Sequence, residues 1–262
     1  MAVDPAAAAG FSQGAEAYAR GRPGYAPEAL DWLVAALRLS AQAQVLDLAA
    51  GTGKLTAQLV QQGFEVVAVE PLAEMRAQLS SKMPNIDTRA GTAEQLPLAD
   101  AAVDAVFCGE AFHWFDASAA LLEIARTLRP SGGLALLWNR PQFTDALWGA
   151  SWGALIAPHV ARTNAAARWL SGEWQAAFGG AGPFGELTTM VFDHVHRVDR
   201  AGFVAQTGSM SFIASLPGEE RAEVLAGVAA LAEEIAGANA DGEIELRYRT
   251  EAHWARPALA AP

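Results

Sequence analysis

The chain has 262 residues, 52% of them hydrophobic, and sets 18 Lys and Arg against 29 Asp and Glu for a net charge of −11. That length suits one large α/β domain with insertions and falls short of two full-sized ones. The acidic balance lacks the basic footprint of a nucleic-acid binder, and the single Cys108 excludes an internal disulfide or a thiolate metal cluster. No run approaches the roughly 20 apolar residues of a membrane span, and the alanine-rich start lacks the basic region and apolar core of a secretion signal. A cytoplasmic enzyme, monomeric or homodimeric, is expected, without nucleic-acid or membrane partners.

Residues 1–26 read as irregular, with Tyr18, Arg20, Arg22 and Tyr25 near the end, and Pro27 then opens a helix with Leu30, Leu33, Val34 and Leu37 at helical spacing. Strands at 44–48, 65–69, 86–90, 103–108 and 134–138 alternate with helices at 54–62, 72–81 and 118–128. Such alternation predicts a parallel sheet covered by helices on both faces. Beyond Asn139 the pattern loosens into helices at 142–161 and 164–178, a strand at 187–198, helices at 199–214 and 217–236, and a last strand at 244–254. The expected organisation is an N-terminal cap (1–40), a cofactor-binding core (41–140) and a C-terminal half (141–262).

The most informative stretch is Val45-Leu46-Asp47-Leu48-Ala49-Ala50-Gly51-Thr52-Gly53. A buried strand ends in a carboxylate, turns through glycines and enters the amphipathic run from Lys54 to Val60. This geometry presents backbone N–H groups to a ligand at the carboxyl edge of a parallel sheet. Glu70 ends the next strand about twenty positions later, where an acidic side chain accepts hydrogen bonds from ribose hydroxyls. A nucleoside-containing cofactor follows. The third glycine of a dinucleotide fingerprint is missing, and Leu55 stands where a phosphate-binding loop needs Ser or Thr. A carboxylate beside the turn repels phosphate and suits a ligand with an ammonium or sulfonium group.

At these residues the chain resembles the class I S-adenosylmethionine-dependent methyltransferases, in the small-molecule branch of type 11 domains. The resemblance implies a Rossmann-like, seven-stranded, mostly parallel sheet with an N-terminal cap and a helical lid. It implies transfer of a methyl group from S-adenosylmethionine to oxygen, nitrogen or carbon of a small molecule. Two other classes stay open: an NAD-dependent oxidoreductase and a noncatalytic adenosyl-cofactor-binding partner protein. Ala49 replaces the usual first glycine of the turn, which requires an ordinary negative φ there.

The resemblance also distributes roles. Asp47 faces the methionyl ammonium, Ala49, Gly51 and Gly53 let the backbone approach the cofactor, and Glu70, followed by Pro71, takes the ribose. Thr92, Ala93 and Glu94 belong to the adenine loop, where Thr92 replaces a common Asp and Glu94 reads equally as an acid at a short helix's start. In Gly109-Glu110-Ala111-Phe112-His113-Trp114-Phe115, Gly109 and Trp114 fall on the cofactor side, and the flanking Phe112 and Phe115 read as packing. His113 is the candidate general base, with Glu110 in reserve, although an acceptor that is already ionised needs no base. Tyr18 and Arg22 match a lid signature that closes on the cofactor carboxylate, and a basic terminus without such a role reads equally well. No metal site is expected: His194 and His196 share a strand face without a defined third ligand.

Overall fold

A computed structural model describes residues 21–160, 172–180, 182–239 and 241–258. Seven strands form one sheet: β1 (Gln44–Leu48), β2 (Glu65–Val69), β3 (Asp87–Arg89), β4 (Val103–Gly109), β5 (Leu128–Pro141), β6 (Thr188–Val198) and β7 (Ile244–Ala255). Their spatial order is β3-β2-β1-β4-β5-β7-β6. The first five run parallel, while β7 is antiparallel to both β5 and β6. The chain leaves β1 outward through β2 and β3 and returns to β4 on the other side. The crevice above β1 and β4 is therefore the topological switch point, where ligands of open α/β sheets bind.

Alternation along the strands sorts the core. Val45, Val66, Ala105, Phe107, Ala135 and Leu137 pack against α1 (Pro27–Leu37) and α2 (Lys54–Gln61) on one face. On the same face α3 (Ala73–Lys82) sets Leu79 on Ala50 and Ala68. Leu46, Val106, Cys108, Leu134, Leu136 and Trp138 point to the other face, where α4 (Ala117–Thr127) covers them with Ala120, Leu121 and Ile124. Asp116 caps α4 by accepting from Ala119 N at 3.1 Å.

A separate apolar cluster builds a helical lid beyond the carboxyl edge. It joins α5 (Gly149–Val160), α6 (Arg200–Gly208), α7 (Ser211–Ala214) and α8 (Gly218–Ala238) to Ile244, Leu246 and Tyr248 at the start of β7. Strands β5 and β7 are long enough to project above β4, so the lid has a wall to pack on. Among the described residues, no helix is long and apolar enough to cross a membrane.

Four sequence expectations need correction. Strand β5 begins at Leu128 rather than 134 because Val103 pairs with Leu128 before a bulge, and pairing resumes at Ala105 and Gly133; the Pro and Gly between them read as a turn. The expected helix at 142–161 opens instead as a 3₁₀ turn, Phe143–Asp145, with the α-helix starting at Gly149. Of the expected helix at 164–178, the part up to 171 lies outside the described residues, and the rest is a 3₁₀ segment, Glu173–Ala177. The single helix expected at 199–214 is two, α6 and α7, broken where Ser209 Oγ turns back to Gln206 O at 2.6 Å.

Candidate functional site

The loop from β1 to α2 and the end of β2 are tied into one unit. Asp47 is 1% exposed, and Thr56, in the first turn of α2, donates its hydroxyl to Asp47 Oδ2 at 2.6 Å. Burial, the largest influence, pushes the Asp47 carboxyl up to about 7; the Thr56 bond opposes this and the nearby Glu70 charge adds to it. Glu70, also buried, accepts from Gly51 N at 3.0 Å with Oε2 and from Leu72 N at 2.9 Å with Oε1. Burial raises its pKa, against the lowering by those two N–H bonds and by Arg76. Arg76 Nη1 holds the loop from below by donating to Glu70 O and Pro71 O at 2.8 and 2.7 Å. Each Glu70 oxygen has a second lone-pair direction left for a ligand hydroxyl.

Gly51 and Gly53 have φ of +57° and +86°, a region only glycine enters without cost, and a Cβ on Gly51 would meet nothing within 4 Å. The space above Gly51 is open, as a bound ligand requires. Ala49 departs from expectation: its φ is +57°, in the left-handed region rather than at an ordinary negative value. A Cβ in that conformation costs about 1–2 kcal/mol. Replacing Ala49 with glycine is expected to raise stability by about 1 kcal/mol, read as a midpoint increase of roughly 2–4 °C in thermal unfolding. An unchanged or lower midpoint would show that the turn carries no strain at this position.

In the loop after β3, Ala93 is buried and Thr92 pairs with Gln95, whose N–H donates to Thr92 O at 3.3 Å. Glu94 reaches away from the crevice: its Oε1 accepts from Asp116 N at 3.1 Å and ties the loop to the start of α4.

At the end of β4 the chain turns through Glu110, whose φ is +59°. Strain of this kind in a side-chain-bearing residue gathers at functional sites. Glu110 Oε1 accepts from Asn139 N at 2.6 Å on the neighbouring strand. Burial of its carboxyl raises the pKa, while Arg22, Asn139 N and Arg140 pull it down and Glu251 adds to the rise. Gly109 is required beside it, because a Cβ there would overlap Tyr25 Oη. Phe112, His113 and Trp114 form a 3₁₀ turn. Phe112 is fully buried among Phe115, Trp174 and Phe178. His113 lies 5.0 Å from the Trp114 ring, and its Nδ1 accepts from Trp138 Nε1 at 3.3 Å. That bond assigns the proton of a neutral His113 ring to Nε2, which makes Nε2–H a donor.

Arg22 binds the lid: Nε donates to Ser209 Oγ at 3.1 Å and Nη2 to Ser209 O at 3.3 Å. Tyr18, its expected companion, lies outside the described residues. Sequence reasoning missed most of the opposite wall. Arg140 pairs with Glu251 at 2.8 Å, and Trp138 and Trp174 stack at 4.5 Å beside His253, whose pKa burial lowers to about 4. Asn139 completes it, donating to Gly24 O at 2.9 Å and accepting from Thr250 Oγ1 at 2.6 Å. These residues sit on β5, β7 and a 3₁₀ segment, and no local spacing links them. A half-open groove of about 680 Å³ between Phe143–Trp148 and the end of α8 contains none of the residues expected to hold a cofactor.

Residues 46–136 match the family model described as a methyltransferase domain. An uncharacterized methyltransferase-like protein of Schizosaccharomyces pombe is 34% identical over 237 residues, 90% of each chain. An uncharacterized methyltransferase of Mycobacterium tuberculosis is 51% identical over 129 residues, 49% of this chain and 51% of the relative. The chain thus spans about half the length of the mycobacterial relatives it matches. Among solved structures, a candidate type II methyltransferase from Anaeromyxobacter dehalogenans superposes with a TM-score of 0.63 over 89% of this chain and 96% of that one, at 23% identity.

Proposed function

The chain belongs to the class I S-adenosylmethionine-dependent methyltransferases, and we propose that it binds that cofactor above β1 and β4 and methylates a small-molecule acceptor held under its lid. One observation carries the reading: Asp47 is a buried carboxylate at the switch point whose pKa burial raises, with no cationic side chain among the influences on it. A ligand bearing an ammonium and a sulfonium supplies a cation, where a pyrophosphate would repel the carboxylate. Glu70 takes the ribose hydroxyls with its remaining lone pairs, and Thr92 and Ala93 flank the adenine. Arg22 and Tyr25 close the crevice from the N-terminal side.

Bound S-adenosylmethionine supplies an electrophilic methyl group; the protein's part is to align the acceptor, ionise it where necessary and exclude water. Alignment alone accounts for much of such a rate, since well-oriented reactants reach effective molarities of roughly 10⁵ M or more. For an acceptor that must lose a proton, Glu110 takes it. Its carboxyl is close to the end of β4, and burial moves its pKa toward neutrality, where a general base works best. His113 presents a hydrogen-bond donor, because Trp138 occupies the lone pair on Nδ1. The roles first expected of these two residues are thereby exchanged.

Calorimetry is expected to show binding of S-adenosylmethionine and S-adenosylhomocysteine and none of NAD. Glu70→Ala should weaken S-adenosylhomocysteine by about 1.5–3 kcal/mol, the range for hydrogen bonds to a charged group. NAD binding without binding of the sulfonium cofactor would overturn the reading, and an unchanged affinity in the variant would remove Glu70 from the ribose.

A further inference from the structure

The lid and the start of β7 bring together two buried polar side chains. Gln206, near the end of α6, is 1% exposed, and Tyr248, on β7, is 3% exposed. The amide and the phenol lie close enough for a loose contact through which Gln206 lowers the Tyr248 pKa against the larger rise from burial, yet Gln206 Nε2, Gln206 Oε1 and Tyr248 Oη complete no hydrogen bond of ordinary geometry among the described residues. A buried polar group left without a hydrogen bond is destabilising until a ligand supplies one. The neighbouring polar groups on the same helix are satisfied: Thr207 Oγ1 accepts from Trp152 Nε1 at 3.1 Å, and Ser209 Oγ donates to Gln206 O. Along this stretch of the chain the deficit is therefore confined to Gln206.

That spot lies against the reaction site. The N-terminal segment presses on it so closely that a Cβ on Gly21 would overlap Gln206 N. Arg22 is anchored on Ser209, three residues along the lid. Tyr248 feels Arg22 and Glu110 as its charged neighbours, which places the phenol between the lid and the end of β4. Tyr248 pairs with Pro141 at the end of β5, so the cluster sits on the β5–β7 side of the sheet.

We propose that Gln206, Tyr248 and Arg22 form a subsite that holds a carboxylate of the methyl acceptor. The inference rests on the methyltransferase reading above and names part of its substrate. An amide N–H, a phenolic O–H and a guanidinium converge as donors, and a carboxylate offers the acceptor oxygens and the negative charge to match them. A neutral primary amide supplies one such oxygen and no charge, so it fits less well.

The test uses protein saturated with S-adenosylhomocysteine and titrates benzoate, cinnamate, octanoate and succinate, each beside its primary amide, by calorimetry. Gln206→Leu and Tyr248→Phe remove the polar atoms while keeping the volume. At least one acid is expected to bind tenfold or more tightly than its amide, and each substitution should weaken that acid about tenfold. Because the removed groups complete no hydrogen bond of ordinary geometry, the thermal midpoint should stay level or rise, and S-adenosylhomocysteine affinity should hold. The subsite is overturned if no acid binds the wild type, if acid and amide bind alike, or if both variants keep the acid's affinity. Equal loss of acid and S-adenosylhomocysteine in the variants would assign the residues to the cofactor and overturn the acceptor role. Failure of the wild type to bind S-adenosylhomocysteine at all would bring down the parent reading and the subsite with it.

Discussion

S-adenosylhomocysteine affinity is expected to fall about tenfold between pH 8 and pH 6, with Asp47 as the cause. The ligand's ammonium needs the ionised carboxylate. With a pKa of about 7 in the ligand-free protein, Asp47 is roughly nine-tenths ionised at pH 8 and one-tenth at pH 6. Binding then releases a proton on the acid side, which calorimetry in buffers of different ionisation enthalpy measures directly. Stability carries the opposite sign. The folded pKa of about 7 exceeds the ordinary Asp value of 3.8, so the protonated side chain's contribution is full below about pH 4 and is lost as pH rises through 7. The size is on the order of a few kcal/mol, about 1.4 per pH unit crossed. Glu70 shifts the same way, so the comparison that isolates Asp47 is Asp47→Asn. That variant keeps an acceptor for Thr56, should lose the stability slope, and should bind S-adenosylhomocysteine at pH 8 as weakly as wild type does at pH 6. A pH-independent wild-type affinity would detach Asp47 from the ligand.

The part of the site built by consecutive residues was legible in the sequence. Strand β1, its glycine turn and β2 announce themselves through apolar runs that end in Asp47 and Glu70, because a parallel strand buried on both faces leaves its first polar residue at the carboxyl edge. What the spacing could not reveal depends on partners from distant segments. The left-handed φ of Ala49 lies in a turn that Gly51 N ties to Glu70 on the next strand, and the identity of the Ala49 side chain does not announce it. The bulged start of β5 looks like a turn until Val103 is placed beside Leu128. Likewise, the spacing around His113 gives no sign that Trp138, on another strand, donates to its Nδ1. Gln206 and Tyr248 meet only through packing of the lid, and no local period joins them.

For an acceptor that must lose a proton, Glu110→Gln is expected to lower turnover by about 10²–10⁴, the usual worth of general-base catalysis, while leaving S-adenosylhomocysteine affinity nearly intact. The glutamine keeps an oxygen for Asn139 N, so the turn at the end of β4 should hold. Because a base acts only when ionised, the wild-type rate should rise with pH through the raised Glu110 pKa, and that acidic limb should vanish in the variant. His113→Ala removes a donor rather than a base. Its loss should be smaller, about 10- to 100-fold, matching a hydrogen bond to a charged group, with the acidic limb retained. An acceptor methylated on a carboxylate would show little effect of either change on proton removal, since it is ionised near neutral pH already. Single-turnover rates from pH 5 to 9 separate these cases. Full activity and an unchanged profile in Glu110→Gln, together with a loss of 10² or more in His113→Ala, would return the base to His113. The ring would then have to give up Trp138 and present its unprotonated nitrogen to the acceptor.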